Sequence, residues 1–162
     1  MKIYSIHREQ NLPITIDEAW IFFSSAKNLG KITPPEMGFK IISKLKEEPI
    51  YSGMKIEYII KPKFGIPLKW VTEIKNVHGP YSFADRQHKG PYKLWEHIHS
   101  FQSIAGGVKM NDDVKYCLPL GWLGLVAHWL FVRKEVEQIF DFRALALNKL
   151  FGQLNKGSYV AV

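Results

Sequence analysis

The chain has 162 residues, of which 46% are hydrophobic, 14% aromatic and 23% charged, so it is long enough for one globular domain and unlike a disordered segment. Its formal net charge is +7, but its lysines stand singly among apolar residues, a distribution that argues against a nucleic-acid-binding surface. No run approaches the roughly 18 apolar residues of a membrane span, and MKIYSIHREQNLP lacks the apolar core of a signal peptide, so we expect a cytoplasmic protein. Cys117 is the one cysteine, so no internal disulfide is expected.

The first part of the chain predicts a strand followed by a short helix. Residues 2–9 alternate between two faces as a strand does, and Pro13 ends the alternation. Asp17 is then expected to cap a helix that stops near residues 28–30, where the sequence reads Asn-Leu-Gly. Residues 33–35, Thr-Pro-Pro, predict a rigid corner, because each proline fixes its own φ and pushes the preceding residue towards extended backbone.

From Phe39 onward the hydrophobic period is two, which predicts six more strands joined by short turns. The strand-like runs are GFKIISKL, GMKIEYIIKP, LKWVTEIKNV, YSFADRQ, YKLWEHIHSFQSI and VKMNDDVKYCLP. After Pro119 the helical period returns and continues to about Leu154, with a stripe of Val132, Val136, Ile139, Phe140, Arg143, Leu147, Leu150 and Phe151. We therefore predict a single α+β domain over residues 1–162. A curved antiparallel sheet of about seven strands would wrap around the long C-terminal helix, with one or two short helices after the first strand.

Alternation also indicates which side chains would face a space between the sheet and the helix. In WEHIHSF the bulkier face holds Trp95, His97, His99 and Phe101. The matching faces of the neighbouring strands hold Phe83, Asp85, Gln87, Asp112 and Tyr116. If these faces point inward, they predict an aromatic-walled cavity with polar groups set into it. Cys117 is in phase with Lys115 and should lie on the outward face.

Several strings of the chain carry a resemblance to a known superfamily. They are ITPPE (32–36), the segment from Asp85 through GPY (90–92) to WEHIHSF (95–101), GG (106–107) with Asp112 and Val114, LPLGWLG (118–124) and IFDFR (139–143). With this order of elements, the chain resembles the START-like helix-grip superfamily, also called SRPBCC, and within it small bacterial ligand-binding proteins of undefined function. The superfamily includes birch-pollen-allergen-like proteins, lipid-transfer domains and polyketide cyclases. The resemblance implies a cavity for a hydrophobic small molecule between sheet and long helix, but it names no ligand.

His97 and His99 allow three interpretations. Residues two apart on a strand project the same way, so with Asp85 or Asp112 they could hold zinc or iron, but no third ligand is fixed by spacing. A histidine held by one of these aspartates could instead act as a general acid or base on a ligand carbonyl. The third interpretation is a buried polar network that satisfies its own groups and could orient a ligand. No metal or cofactor is expected, and there is no nucleophile elbow for covalent catalysis.

Two features near the C-terminus also have alternative interpretations. Arg143 lies on the apolar stripe of the predicted helix, where it could lay its side chain along the helix edge or reach a carboxylate of the protein or of a ligand. LPLGWLG is most simply the start of the long helix. Alternatively, Trp122, Leu123 and Leu125 could form the mouth of the cavity or a patch that touches a membrane.

We therefore predict a protein that binds or carries a hydrophobic or amphipathic small molecule, such as a lipid or a polyketide-like compound. A ligand-binding role is favoured over an enzymatic one. The expected ligand contacts are Trp70, Phe83, Asp85, Gln87, Trp95, His97, His99, Phe101, Tyr116, Ile139, Phe140 and Arg143. One alternative is a cyclase-, isomerase- or hydrolase-like enzyme with its catalytic candidates among His97, His99, Asp85 and Asp112. The other is a protein-interaction module with a filled core. We expect no nucleic acid partner and at most transient membrane contact; the oligomeric state is left open.

Overall fold

The computed structural model describes residues 2–45, 49–62 and 65–154. Its strands are β1 (Tyr4–Leu12), β2 (Lys40–Ile41), β3 (Lys55–Ile60), β4 (Leu68–His78), β5 (Ser82–Lys89), β6 (Leu94–Ile104) and β7 (Gly107–Cys117). Its helices are α1 (Ile16–Phe23), two 3-10 helices (Ala26–Ile32 and Pro35–Met37), α2 (Gly121–Ala127), a π-helical turn (His128–Val132) and α3 (Arg133–Phe151).

The strands form one antiparallel sheet in the order β1-β7-β6-β5-β4-β3-β2. Consecutive strands from β2 to β7 are neighbours, and β1 closes the other edge beside β7, with Tyr4 opposite Tyr116. From Gly121 to Phe151 the chain is a helical run of 31 residues. Its residues Val136 and Phe140 pack in one buried cluster with Val114 and Tyr116 of β7. The predicted fold class, a curved antiparallel sheet with a long C-terminal helix, is confirmed.

The cap of α1 differs from the prediction. Thr15, not Asp17, is the N-cap residue, because its side chain accepts a hydrogen bond from the Glu18 backbone N–H while Glu18 Oε2 accepts one from the Thr15 N–H at 2.8 Å. This reciprocal capping box satisfies two backbone donors that the helix itself leaves free. Asp17 lies in the first turn, where a negative charge favours the helix dipole. The helix ends at Phe23, and residues 28–30 belong to a 3-10 helix.

The predicted strand GFKIISKL is shorter than expected. Only Lys40 and Ile41 pair regularly with β3. Beyond them, the backbone N–H groups of Ile42 and Ser43 both donate to the carbonyl oxygen of Glu57, at 2.9 and 3.2 Å. The Ser43 hydroxyl accepts from the Glu57 N–H at 3.1 Å and so replaces the next ladder bond. A regular ladder cannot continue once two successive donors share one acceptor, so the strand ends there.

Two predictions about outward and inward faces need correction. Cys117 is buried although it is in phase with the exposed Lys115. It is the last residue of β7, and its thiol donates to the Leu118 carbonyl oxygen at 3.4 Å, so the chain that leaves the strand contributes to its burial. Leu150 is exposed, whereas the predicted stripe would bury it. At 100° per residue it lies about 20° from the cavity-lining Ile139 around the helix axis, so its face is the predicted one, but it lies in the last turn of α3.

Three buried clusters surround the space between sheet and helix. The largest joins α1 to the sheet and includes Phe23, Phe83, Phe101 and Leu147. The second lies between α3 and β7, and the third, around Trp70, connects β3 and β4 to Met37 of the second 3-10 helix. Together they leave one side of α3 facing a space in the interior. No helix in the described ranges is long and apolar enough to cross a membrane.

Candidate functional site

A cavity of about 200 Å³ lies between the inner face of the sheet and α3. Its walls come from β3, β4, β5, β6, α3 and the residues between α1 and β2, and they are mainly apolar. The predicted contact residues that line it are Trp70, Phe83, Asp85, Trp95, His97, His99, Ile139, Phe140 and Arg143. The cavity therefore lies where the alternation of the strands predicts a space.

One end of the cavity has an aromatic wall. The ring centroids of Trp70 and Trp95 are 5.4 Å apart with nearly perpendicular planes, and Tyr92 lies 5.5 Å from Trp70 and 4.9 Å from Trp95. Tyr58 stacks 6.0 Å from Trp70 on the next strand. One edge-to-face pair, two tilted pairs and one stacked pair thus form a continuous wall of rings in contact. The Nε1 donor of Trp70 is buried and has no hydrogen-bond partner among the described residues.

The other end carries the polar cluster, which strand register brings together. Asp85 lies opposite His97 across β5 and β6, and His99 lies opposite Asp112 across β6 and β7. Because side chains two apart on β6 project to the same face, both imidazoles point into the space between the two aspartates. Both histidines and Asp112 are buried, and Asp85 is half-buried at the cavity surface.

Each histidine contacts both carboxylates. His97 Nε2 lies 2.8 Å from Asp112 Oδ1, and its Nδ1 lies 3.3 Å from Asp85 Oδ2. His99 Nδ1 lies 2.9 Å from the same Asp112 oxygen, and its Nε2 lies 3.1 Å from the same Asp85 oxygen. The two rings are 3.8 Å apart. The short contacts are those to Asp112, behind the histidines, and the long ones are those to Asp85, at the cavity.

Arg143 completes the cluster from α3. Its Nη2 lies 3.3 Å from His99 Nδ1, and its Nε lies 3.4 Å from Asp112 Oδ2. Its guanidinium also lies over the ring of Phe23, 5.6 Å from the centroid. The side chain is buried and lines the cavity. Of the two predicted roles, the structure therefore supports the cation that reaches a carboxylate, and the guanidinium does not extend to solvent.

Acidic and basic side chains of the cluster shift one another's pKa values against the effect of burial. Burial alone would raise the pKa of Asp112, but Arg143 and His97 hold that pKa well below its usual range. Burial likewise acts to raise the pKa of Asp85, and the two histidines hold it below the usual range. Burial acts to lower the pKa of His97, but Asp85 and Asp112 outweigh it and raise the pKa. The raised pKa favours the protonated form of His97, which together with Arg143 would offset the two carboxylates and keep the buried cluster near neutrality.

Gln87 does not line the cavity as predicted. Its Nε2 donates to the Tyr92 carbonyl oxygen at 2.6 Å, and its Oε1 accepts from the Tyr92 backbone N–H at 3.2 Å. The side-chain amide therefore fixes the turn between β5 and β6, and with it the position of the Tyr92 ring. Its register partner Thr72 lines the cavity, but the Gln87 amide is held by the Tyr92 backbone and does not enter the cavity.

Phe101, Tyr116 and Asp112 also lie outside the cavity wall. Phe101 is buried in the core beside α1, with its ring centroid 5.1 Å from that of Phe23. The Tyr116 hydroxyl is hydrogen-bonded to His128 Nε2 at 2.9 Å, which ties β7 to the π-helical turn. Burial, the largest effect, raises the pKa of Tyr116 to about 12. These residues face inward as predicted, but the packing of α1 and α3 limits the cavity to the middle of the sheet.

Sequence reasoning missed several residues of the cavity. Some lie on β3 and β4, where alternation with Lys55, Glu57 and Glu73 indicates an inward face, such as Ile56, Tyr58 and Thr72. Others come from the segment between α1 and β2, whose irregular backbone has no period to indicate a face. This group includes Ala26, Asn28, Leu29, Ile32, Thr33, Met37 and Phe39. Tyr92 lies in the GPY string, which could have indicated it.

A surface depression adjoins the cavity. It lies between the start of α3, the second 3-10 helix and Lys61, Pro62 and Gly65, and its lining includes Phe131, Lys134 and Gln138. It shares Met37, Pro62, Glu135 and Ile139 with the cavity lining. The cavity and the depression are therefore neighbours that share one wall.

The fold has counterparts of known structure. Protein CV1439 from Chromobacterium violaceum superposes with a TM-score of 0.68 at 11% identity, over 93% of this chain and 98% of that one. Ara h 8.0201 superposes with a TM-score of 0.61 at 14% identity, over 92% of this chain and 97% of that one. A nucleoside-diphosphate sugar epimerase from Corynebacterium glutamicum matches at 19% identity with a TM-score of 0.62, over 89% of this chain but only 28% of that one.

Comparison of sequences gives no closer assignment. No protein-family model matches the chain, and no curated protein matches it. Likeness at such low identity shows the fold alone, since one fold hosts binders, carriers and enzymes. The chain therefore has the helix-grip fold that its sequence predicts, and its place in the small bacterial group that its strings resemble stays a prediction.

Proposed function

We propose that this protein binds or carries a hydrophobic or amphipathic small molecule in the cavity between the sheet and α3. The observation that carries the proposal is a mainly apolar cavity with a few convergent polar groups at one end, which is typical of a small-molecule site. The Nε1 donor of Trp70, in the aromatic wall at the other end, is buried and has no hydrogen-bond partner in the described part of the chain. An oxygen acceptor on the ligand would satisfy it, and the apolar part would fill the remaining space.

The size of the cavity narrows the ligand class. An apolar protein cavity of roughly 150 Å³ is known to hold benzene, and this one has about 200 Å³. It suits a ligand of one or two rings, or a single chain that protrudes through the depression beside Lys134. A ring compound with carbonyl or hydroxyl groups fits better than a lipid with two acyl chains. We therefore favour the polyketide-like alternative over the bulky lipid one.

Native mass spectrometry with lipid extraction, on protein purified from its own host, tests the proposal. We expect a co-purified small molecule in the wild-type protein and in Leu145→Trp, where a ring is added on the exposed side of α3. Ile139→Trp, which adds the same ring at the cavity, should lose the ligand because the space is filled. The proposal would be contradicted if wild-type protein contained no co-purified ligand and also bound none that was added. Equal ligand occupancy in the two variants would contradict it as well.

Trp70→Phe tests the ligand's polar end separately. It keeps an aromatic wall but removes the unpartnered donor, so the affinity for the identified ligand should fall by about tenfold, the usual value of one hydrogen bond. Trp95→Phe removes a ring nitrogen from the same wall and serves as a control. Equal losses in both variants would show that ring size, and not the Trp70 donor, determines the affinity.

We further propose transient contact with an anionic membrane surface during ligand exchange. Large apolar side chains are exposed on α2 and the π-helical turn, with Trp129 at 81% and Trp122 at 70% exposure. No acidic residue occurs between Asp113 and Glu135, whereas Arg133 and Lys134 follow the exposed residues. An apolar patch with flanking cations is the chemistry that inserts at the interface of anionic lipids.

Sedimentation with vesicles tests this contact. Wild-type protein should bind vesicles that contain anionic phosphatidylglycerol, bind phosphatidylcholine vesicles less, and be released by salt. Trp129→Ser should weaken binding several-fold, whereas Leu145→Ser, an exposed apolar residue elsewhere on α3, should not. Absence of vesicle binding, together with a dimer whose dissociation depends on Trp129, would identify a second copy of the chain as the partner instead.

The second candidate function is general acid–base catalysis on the ligand. It is favoured by His97 and His99, which line the cavity while Asp112 holds both from behind. A histidine oriented by a carboxylate can move a proton to or from a ligand oxygen or carbon. Once a substrate is identified, His97→Gln and His99→Gln should each reduce turnover by at least 100-fold. Unchanged turnover in both would remove the histidines as the acid or base.

A further inference from the structure

We infer that Asp85, His97 and His99 form a binding site for a divalent transition metal at the polar end of the cavity. One ligand atom from each residue lies within 4.8 Å of the others. All three line the cavity, so an ion held by them would face the space where a small molecule fits. This inference does not depend on the proposed hydrophobic ligand, because the site consists entirely of protein atoms.

The spacing of the donor atoms carries the inference. His97 Nδ1 and His99 Nε2 lie 3.3 and 3.1 Å from Asp85 Oδ2. Charge-assisted hydrogen bonds to a carboxylate run about 2.7–2.9 Å, so both contacts are long for that role. Donors bound at about 2.1 Å to one ion lie roughly 3.0 Å apart in octahedral geometry and 3.4 Å in tetrahedral geometry. The observed separations fall in that interval.

Asp112 provides the second observation. Its Oδ1 lies 2.8 Å from His97 Nε2 and 2.9 Å from His99 Nδ1, the ring nitrogens that do not face Asp85. Metal-binding histidines usually donate their other ring N–H to such a carboxylate, which fixes the ring and increases its donor strength. The Asp112 carboxylate would orient His97 through the hydrogen bond at 2.8 Å. His99 Nδ1 lies 2.9 Å from the same oxygen and 3.3 Å from Arg143 Nη2, and Arg143 Nε lies 3.4 Å from the second Asp112 oxygen.

The donor set indicates the class of metal. Two imidazoles and one carboxylate suit Zn²⁺ or Fe²⁺, whereas Mg²⁺ and Ca²⁺ prefer oxygen ligands. Three protein ligands leave further coordination positions open towards the cavity. With two carboxylates, Arg143 and a divalent ion, the cluster would carry one net positive charge. An anionic oxygen from a ligand or a hydroxide would neutralise it.

Metal titration of chelator-treated, tag-free protein tests the site, with bound metal measured by elemental analysis and Co²⁺ absorption. We expect one Zn²⁺ or Co²⁺ per chain and none retained with Mg²⁺. His97→Gln and His99→Gln should each weaken binding at least 100-fold, and Asp112→Asn about 10- to 100-fold. His7→Gln is the control, because His7 forms an exposed pair with Asp113 at 2.7 Å and should bind no ion tightly.

Two outcomes would overturn the inference. Wild-type protein that binds less than 0.1 equivalents at about 100 µM Zn²⁺ or Co²⁺ has no such site, whatever the variants do. Binding that survives in His97→Gln but is lost in His7→Gln would move the ion to the surface. If a cluster variant fails to fold, the wild-type protein still tests the site, because an ion that binds only the folded state raises the melting temperature further as the ion concentration rises above its Kd. The titration uses ligand-free protein, so its result is independent of the ligand-extraction experiment.

Discussion

At the scale of single residues, Asp112 is central to the interior. It lies between His97, His99 and Arg143 and is buried at 2% exposure. A buried charge with opposite charges around it is tolerated because the partners compensate its loss of hydration. The same arrangement makes it costly to remove, because the buried Arg143 would lose the carboxylate that it contacts and His97 would keep only Asp85.

We therefore expect Asp112→Ala to lower the free energy of unfolding by about 3–5 kcal/mol, the usual cost when one partner of a buried pair is removed. Urea denaturation measures this change. The neighbouring Asp113 pairs with His7 on the exposed side of the same strand, so Asp113→Ala should leave stability nearly unchanged. Similar losses in both variants would indicate that the cluster does not stabilise the fold.

Tyr116 gives a second prediction at this scale. Its hydroxyl is hydrogen-bonded to the buried His128, whose ring also stacks on Tyr4 at 3.4 Å. Tyr116→Phe should lower stability by about 1–2 kcal/mol, because it removes the bond and leaves a buried polar nitrogen without a partner. Tyr81→Phe, at an exposed tyrosine, is the control and should have little effect in the same thermal denaturation experiment.

At the scale of elements, the edge pair β1 and β7 depends on one glycine. Gly107 begins β7, and a Cβ atom there would collide with the backbone oxygen of Leu12 at the end of β1. Backbone cannot move aside as a flexible side chain can, so only glycine allows this close approach. The contact fixes how the first strand returns to the sheet before α1 begins.

Gly107→Ala should accordingly destabilise the protein by about 1–3 kcal/mol, the range for overpacked sites. Gly30→Ala is the matched control, because its added methyl group would make only ordinary contact with Phe39. Differential scanning calorimetry of both variants measures the difference. Equal melting temperatures for the two variants would show that the β1 edge adjusts without strain.

At the scale of the whole molecule, the cavity separates three buried clusters that would otherwise form one core. Atoms that line an empty cavity lack packing contacts on one side, so the empty protein is less stable than the protein with a ligand in the cavity. A ligand that enters restores these contacts and binds only the folded state. Stability and occupancy are therefore linked.

Ligand removal should then lower the melting temperature. At a ligand concentration about 100 times its Kd, binding adds roughly 2.7 kcal/mol to the free energy of unfolding. Thermal denaturation of delipidated protein, with and without the identified ligand, measures the shift. Ile139→Trp should show no shift, because its cavity is already filled; a shift as large as that of the wild type would place the ligand elsewhere.

The order of elements, the fold class and the inward faces of the central strands could be predicted from the sequence alone. These follow from hydrophobic period, which is local: alternate residues of a strand face one side whatever their neighbours do. For this reason the face of WEHIHSF with His97 and His99 could be predicted, together with the polar residues of the strands beside it. The notable exceptions, the cap at Thr15 and the burial of Cys117, lie at ends of elements, where the period stops.

Which of these residues contact one another depends on the tertiary structure. Register depends on turn lengths and on irregular pairing, such as the shifts in β4 between Val71 and Thr72, and neither can be calculated from alternation. It places Asp112 behind both histidines and Asp85 in front of them. Helix phase decided that Arg143 joins the cluster, and packing of α1 decided that Phe101 belongs to the core. The same histidine pair therefore became a defined site only when long-range packing fixed its distances.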